Sequence, residues 1–193
     1  MDDNLIFPDH RPSRADAVKN RELLMQTAQR LFAQNGVDAV KMSDVADAAG
    51  VGKGTLYRHF PKGKLELCQV LIDQDQRDLQ DRTLKRLREH GDPVLDLEWF
   101  LREVLAFVVR NQSLVFAEAA IGMLLDHPAH SWWRQTIRGL LMRIKPDVDL
   151  DYTTDLLFVM LDPRTIHFQM NARGYDPERI ASGLVAVLYR LVI

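Results

Sequence analysis

Cysteine is nearly absent: Cys68 stands alone among 193 residues. That excludes an internal disulfide and a cysteine metal cage, and Cys68 reads as a small buried hydrophobe on a helix. No apolar run approaches the roughly 18 residues of a membrane span, and the N-terminus lacks the hydrophobic region of a signal peptide. The expectation is a cytoplasmic protein without a membrane partner. Period-two alternation is nowhere sustained, so no strand is predicted with confidence. There is no internal repeat and no low-complexity tract. Excess charge is also scarce. The net charge is −2, which excludes a uniformly basic nucleic-acid coat protein. Its distribution is uneven: ten Lys and Arg face eight Asp and Glu up to Leu65, and fifteen face nineteen beyond it. A mild preference of the N-terminal part for an anionic partner follows.

Helical periodicity dominates what is there, and a 47% hydrophobic content is enough to bury a core. Residues 1–15 carry two prolines and no helical period, and read as a flexible arm in which Arg11 and Arg14 are the available cations. Across 16–35, Leu24, Ala28, Leu31 and Phe32 recur at helical spacing until Asn35 and Gly36 stop the pattern. A longer helix is predicted over 64–90, charged in its later part like a connector between two globules. Further helices are expected over 93–111, 113–126, 129–145, 150–173 and 177–192. Pro163 should break or kink the long one. The fold class is therefore all-α.

The densest chemistry lies in residues 42–60, MSDVADAAGVGKGTLYRHF. Ser43 is placed to cap a short helix. Val45, Ala46 and Ala49 share its inner face, and Gly50 ends it. A second short helix follows, with Leu56 and Phe60 four apart on the buried side. Two short helices joined by a tight turn are the unit that sets a recognition helix in a DNA major groove. At 100° per residue, Arg58 and Gly54 lie opposite Leu56 and Phe60. Arg58 can read guanine edges there, while Gly54 lets the backbone approach. Lys53, Thr55, Tyr57 and His59 flank them as phosphate-gripping donors, and Ser43 with the N–H groups at its helix start is a further phosphate site.

The run AGVGKGTLYRHF over residues 49–60, with Phe32 and Gly36 ending the preceding helix, resembles the DNA-binding domain of the TetR family of transcriptional repressors. The resemblance spans about residues 20–67, a quarter of the chain strongly. It implies recognition-helix contacts from Lys53, Gly54, Thr55, Tyr57 and His59, and phosphate contacts from Ser43 and from a lysine at the start of the next helix. Gly52 stands where the family often has serine. The loop after Phe60 is one residue longer than usual, so either Lys62 or Lys64 would supply that lysine. Lys64 is the nominal choice. Implied domains are a helix-turn-helix DNA-binding domain over 16–65 and a larger helical ligand-binding and dimerisation domain over 66–193.

In that second part the resemblance implies a cavity for a small apolar inducer, with Phe107, Phe116, Met123, Trp132 and Trp133 as lining candidates and Arg102, Glu118 and Gln135 as polar ones. The last two helices are apolar on more than one face, which fits a homodimer interface through Leu156, Val159, Ile166, Leu184, Val187 and Leu188. The expected protein is a ligand-responsive regulator, in the repressor sense, that binds a palindromic operator as a dimer. No cofactor and no catalytic constellation are expected. A protein-interaction module without DNA binding, or a small helical enzyme with dispersed residues, stays open at this level. Two look-alikes are weak. GVGKGT over 50–55 has Asp47 and Gly54 where a phosphate-binding loop needs glycine and a hydroxyl. His127 and His130 read as solvated histidines at a helix corner.

Overall fold

The computed structural model describes residues 14–89, 91–116 and 128–192, apart from the side chains at 115, 116 and 128. Among the described residues the elements are all helices. They are α1 (Arg14–Asn35), α2 (Met42–Ala48), α3 (Lys53–His59), α4 (Lys64–Arg88), α5 (Pro93–Phe116), α6 (Pro128–Ile144), α7 (Leu150–Val159), α8 (Pro163–Asn171) and α9 (Pro177–Val192). The chain forms two compact units, Met1–Leu67 and Cys68–Ile193. No described helix is long and apolar enough to cross a membrane.

In the first unit, α1, α2 and α3 pack against one another. Helix α1 starts at Arg14, two residues before the expected position. Its stripe of Leu24, Ala28 and Phe32 is buried, as are Val37, Val40, Val45, Leu56 and Phe60 of the same unit. Gly36, at a φ of +79°, ends α1 by donating its N–H to Phe32 O at 2.9 Å.

In the second unit α5 is the central element and packs against α6, α8 and α9. Phe100, Leu101, Val104, Phe107 and Val108 of α5 share a core with Trp133, Ile137 and Leu141 of α6 and with Leu184 and Leu188 of α9. Two expectations change here. First, α5 runs unbroken to Phe116, through the point where 93–111 and 113–126 were read as separate helices. Asn111 does not interrupt it, because its Nδ2 turns back to Phe107 O at 2.9 Å and to Asp75 Oδ2 at 2.6 Å. The remainder of the expected 113–126 helix lies outside the described residues. Second, His130 is buried rather than solvated. Its ring lies 5.1 Å from Trp133 and 5.4 Å from Phe158, because α6 starts at Pro128 and turns His130 inward.

The charged face of α4 is occupied, not simply solvated. Asp75 accepts from Arg110 at 3.0 Å, Arg86 pairs with the buried Asp96 at 2.8 Å, and Arg82 pairs with Glu103. Losing Arg86 would strand a buried carboxylate, which costs far more than an exposed pair contributes.

The expected break at Pro163 is present, with α7 ending at Val159 and α8 starting at Pro163. Asp162 caps α8, accepting from Arg164 N at 2.8 Å and Thr165 N at 3.4 Å. Burial pushes the Asp162 carboxyl up, but the Arg164 side chain and the two backbone N–H groups outweigh it and hold it below its ordinary value of 3.8. A carboxylate depressed in the folded state stabilises fully above its unfolded value and loses that contribution as the pH falls through the folded one. Asp162→Ala should therefore lower stability by about 1 kcal/mol at neutral pH. In urea titrations the gap from wild type should close as the pH falls below 3.8.

Candidate nucleic-acid interface

The turn between α2 and α3 follows from local sequence. Ala49 closes α2, and Gly50 takes a φ of +65°, a conformation that costs most residues 1–2 kcal/mol. Gly50 N–H then reaches Asp47 O at 3.2 Å, and Val51 N–H reaches Ala46 O at 3.0 Å. These two bonds satisfy carbonyls that the helix end would leave open. Gly52 caps α3 in an extended conformation, its carbonyl accepting from Thr55 and Leu56 N–H.

Ser43 does not cap α2. The cap is Lys41, whose N–H donates to Asp44 Oδ2 at 2.8 Å, while the Ser43 hydroxyl donates to Asp44 Oδ1 at 3.3 Å. The helix starts two residues earlier than a Ser43 cap would place it. Asp44 at the third helical position reaches back and takes the capping work.

Leu56 and Phe60 are fully buried, which orients α3. The Arg21 guanidinium lies 4.8 Å from the Phe60 ring centroid, a cation–π contact that sequence spacing did not reveal. Lys53, Gly54, Tyr57 and Arg58 are exposed, and Thr55 and His59 are half-buried. Among the described residues no hydrogen bond or ion pair engages the side chains of Lys53, Thr55, Tyr57 or Arg58. The structure thus brings the expected α3 residues together on one partner-free, basic surface. Burial, and then the charges of Arg21 and Arg58, lower the His59 pKa below its ordinary value of 6.5. Lys64 is placed differently: its Nζ donates to Val37 O at 2.8 Å and lies 3.4 Å from Asp38 O.

Gly54 has a helical φ, and a Cβ built on it would meet nothing within 4 Å. Neither backbone geometry nor internal packing requires glycine there, although glycine costs a helix interior about 1 kcal/mol relative to alanine.

Of the described apolar candidates in the second unit, Phe107 and Trp133 are buried and Trp132 is half-buried against the same core. Phe107 meets Trp133 edge-on at 5.5 Å, and Trp132 meets Phe100 edge-on at 5.5 Å. Trp133 Nε1 donates to Gln76 Oε1 at 3.1 Å. Sequence reasoning missed Gln76: a glutamine in a charged helix carries no signal that it will be buried. The Phe116 side chain, Met123 and Glu118 lie outside the described residues. Arg102 does not face inward; it pairs with Glu98 at 3.1 Å and Glu178 at 3.4 Å, and Gln135 is exposed.

The interface candidates divide. Ile166, Leu184 and Leu188 are buried within the single chain, a correction to their placement at a dimer surface. Ile180, Leu184 and Leu188 align at four-residue steps into one stripe that α5 covers, so α9 is one-sided where composition suggested two. Val187 is half-buried, while Leu156 and Val159 are exposed.

A helix-turn-helix that offers a basic, unengaged face defines the class: a helix-turn-helix nucleic-acid-binding protein. The family model for bacterial regulatory proteins of the tetR family matches residues 24–70. The HTH-type transcriptional regulator SAB2452 of Staphylococcus aureus (strain bovine RF122 / ET3-1) is 30% identical over 180 residues, covering 90% of this chain and 95% of that relative. The chain belongs to the tetR family and is a transcriptional regulator. Its fold matches a transcriptional regulator from Cytophaga hutchinsonii ATCC 33406 with a TM-score of 0.74, at 19% identity over 89% of this chain and 95% of that one. It also matches NalD of Pseudomonas aeruginosa, described as the secondary repressor of the MexAB-OprM multidrug efflux pump, with a TM-score of 0.60, at 19% identity over 91% and 97% of the two chains.

Gly54→Ala should raise the melting temperature, by the equivalent of about 0.5–1 kcal/mol. It should also weaken binding to a cognate duplex by about tenfold or more. Thermal melts and binding isotherms on the same preparation measure the opposed effects.

Proposed function

We propose that this regulator is a dimeric repressor that reads a palindromic operator and leaves it when a small, largely apolar inducer occupies the helical second unit. The observation that carries the reading is the outward face of α3, where Arg58 and Gly54 are exposed and Lys53 and Tyr57 flank them without internal partners. Arg58 suits base-edge recognition, and its neighbours suit phosphates. The similarity in fold to a protein described as a repressor supports the sign of regulation. The family's transcriptional role supports a non-enzymatic protein that works in the cytoplasm, where its DNA is.

Self-association is supported by Tyr152, Leu156 and Val159. Spaced four and then three residues apart, they form one exposed apolar stripe along α7, and Phe168 of α8 is also exposed. A two-fold dimer would set two copies of α3 about 34–36 Å apart, one turn of DNA. An inducer then acts only through its differential affinity for the operator-competent state and its alternative.

Selection of bound duplexes from a random pool tests the reading. The expected product is a two-fold symmetric site, released by some members of an apolar ligand panel. Absence of enrichment at low salt would favour an interaction module in which α3 meets protein. On a selected site, Arg58→Ala should cost about 1–3 kcal/mol and relax preference at one or two base pairs per half-site. Val159→Glu should convert the dimer to monomer in sedimentation equilibrium, weakening association by about tenfold or more.

A further inference from the structure

Two lysines flank Gly63 and do different things. Lys64 starts α4, and its ammonium turns towards the loop between α1 and α2, donating to Val37 O at 2.8 Å and lying 3.4 Å from Asp38 O. That loop carries Val37 and Val40, both 3% exposed, into the core of the first unit and leads directly into α2. An ammonium has three donors and a strong need for acceptors. Withdrawing it towards a phosphate would forfeit the carbonyl that anchors the loop.

Lys62 has the opposite setting. Its backbone N–H donates to Glu66 Oε2 at 2.9 Å, which fixes the turn, while its side chain is exposed. The turn also borders the α3 face: a Cβ at Gly63 would stand 4.0 Å from Tyr57 Cε1, and Tyr57 is half-exposed beside Arg58. Lys62 thus projects from a braced turn next to the surface that would meet DNA.

We infer that Lys62 makes the phosphate contact at this end of the interface, and that Lys64 is a positioning residue that holds the α1–α2 loop and, through it, α2. The inference rests on the DNA-binding reading for Lys62. The Lys64 tie stands on protein geometry alone.

The test uses the full chain and a duplex recovered by selection. In wild type, acetylation kinetics read by mass spectrometry should show Lys62 reacting faster than Lys64. The duplex should slow Lys62 at least fivefold and Lys64 less than twofold. Lys62→Ala should reduce the slope of log affinity against log salt by about 0.9, the signature of one lost phosphate contact. Lys64→Met should weaken binding with no change of slope, and should speed amide exchange over residues 37–41 in the free protein, which Lys62→Ala should leave unchanged. A slope loss of about 0.9 in Lys64→Met, an unchanged slope in Lys62→Ala, duplex protection of Lys64 in place of Lys62, or unaltered exchange over 37–41 would each overturn the inference. If Lys64→Met does not fold, the wild-type labelling decides the assignment. If no duplex binds, the DNA reading and the Lys62 role fail together, while labelling and exchange in the free protein still judge the Lys64 tie.

Discussion

Leu56 and Phe60 stand one helical turn apart, and both are fully buried beneath α3. Each is worth about 1.5–3 kcal/mol in apolar surface removed from water, so α3 has one orientation that satisfies both. Rotating it to expose either would forfeit a large share of the stability of a small three-helix unit. Arg21 adds a contact over the Phe60 ring from α1. Every outward feature of α3 follows from that inward pair. Arg58 and Gly54 face away because Leu56 and Phe60 cannot. The interface is in this sense the complement of a packing constraint, and its rigidity comes from the core.

The same unit keeps the outward face of α3 free by satisfying its backbone elsewhere. Gly50 turns the chain, while Val51 and Gly50 return their N–H groups to α2 carbonyls. Asp44 closes the start of α2 from within. Lys64 takes up carbonyls in the loop before it. These local closures leave the exposed α3 side chains no structural duty.

The second unit is organised differently. A long α5 lies against α6, α8 and α9, and its Phe100 and Phe107 meet Trp132 and Trp133 of α6 edge-on. Two polar clusters tie α4 to the other helices of this unit. Gln76 receives the Trp133 indole N–H, and Asp75 gathers Arg110 and Asn111. The charged run in α4 therefore reads as side chains reaching for α5, with Arg86 and Asp96 as the buried case.

The all-helical class, the α2–turn–α3 unit and the break at Pro163 were all legible in the linear order of residues. Each depends on interactions within about one helical turn: apolar spacing, a glycine at positive φ, an aspartate followed by a proline. Membership of the family was legible for the same reason, since its pattern is local. What the sequence could not settle were choices among partners distant in the chain. Whether Ile166, Leu184 and Leu188 face a second copy or the chain's own α5 depends on which surface arrives first, and periodicity is silent on that. Burial of Gln76 and His130 depends on Trp133, and the direction of the Lys64 ammonium depends on a loop 26 and 27 residues away. Short-range order was thus written in residue spacing. The tertiary structure alone decided which of several equally apolar or equally charged side chains would be spent on the protein itself and which would remain for a partner.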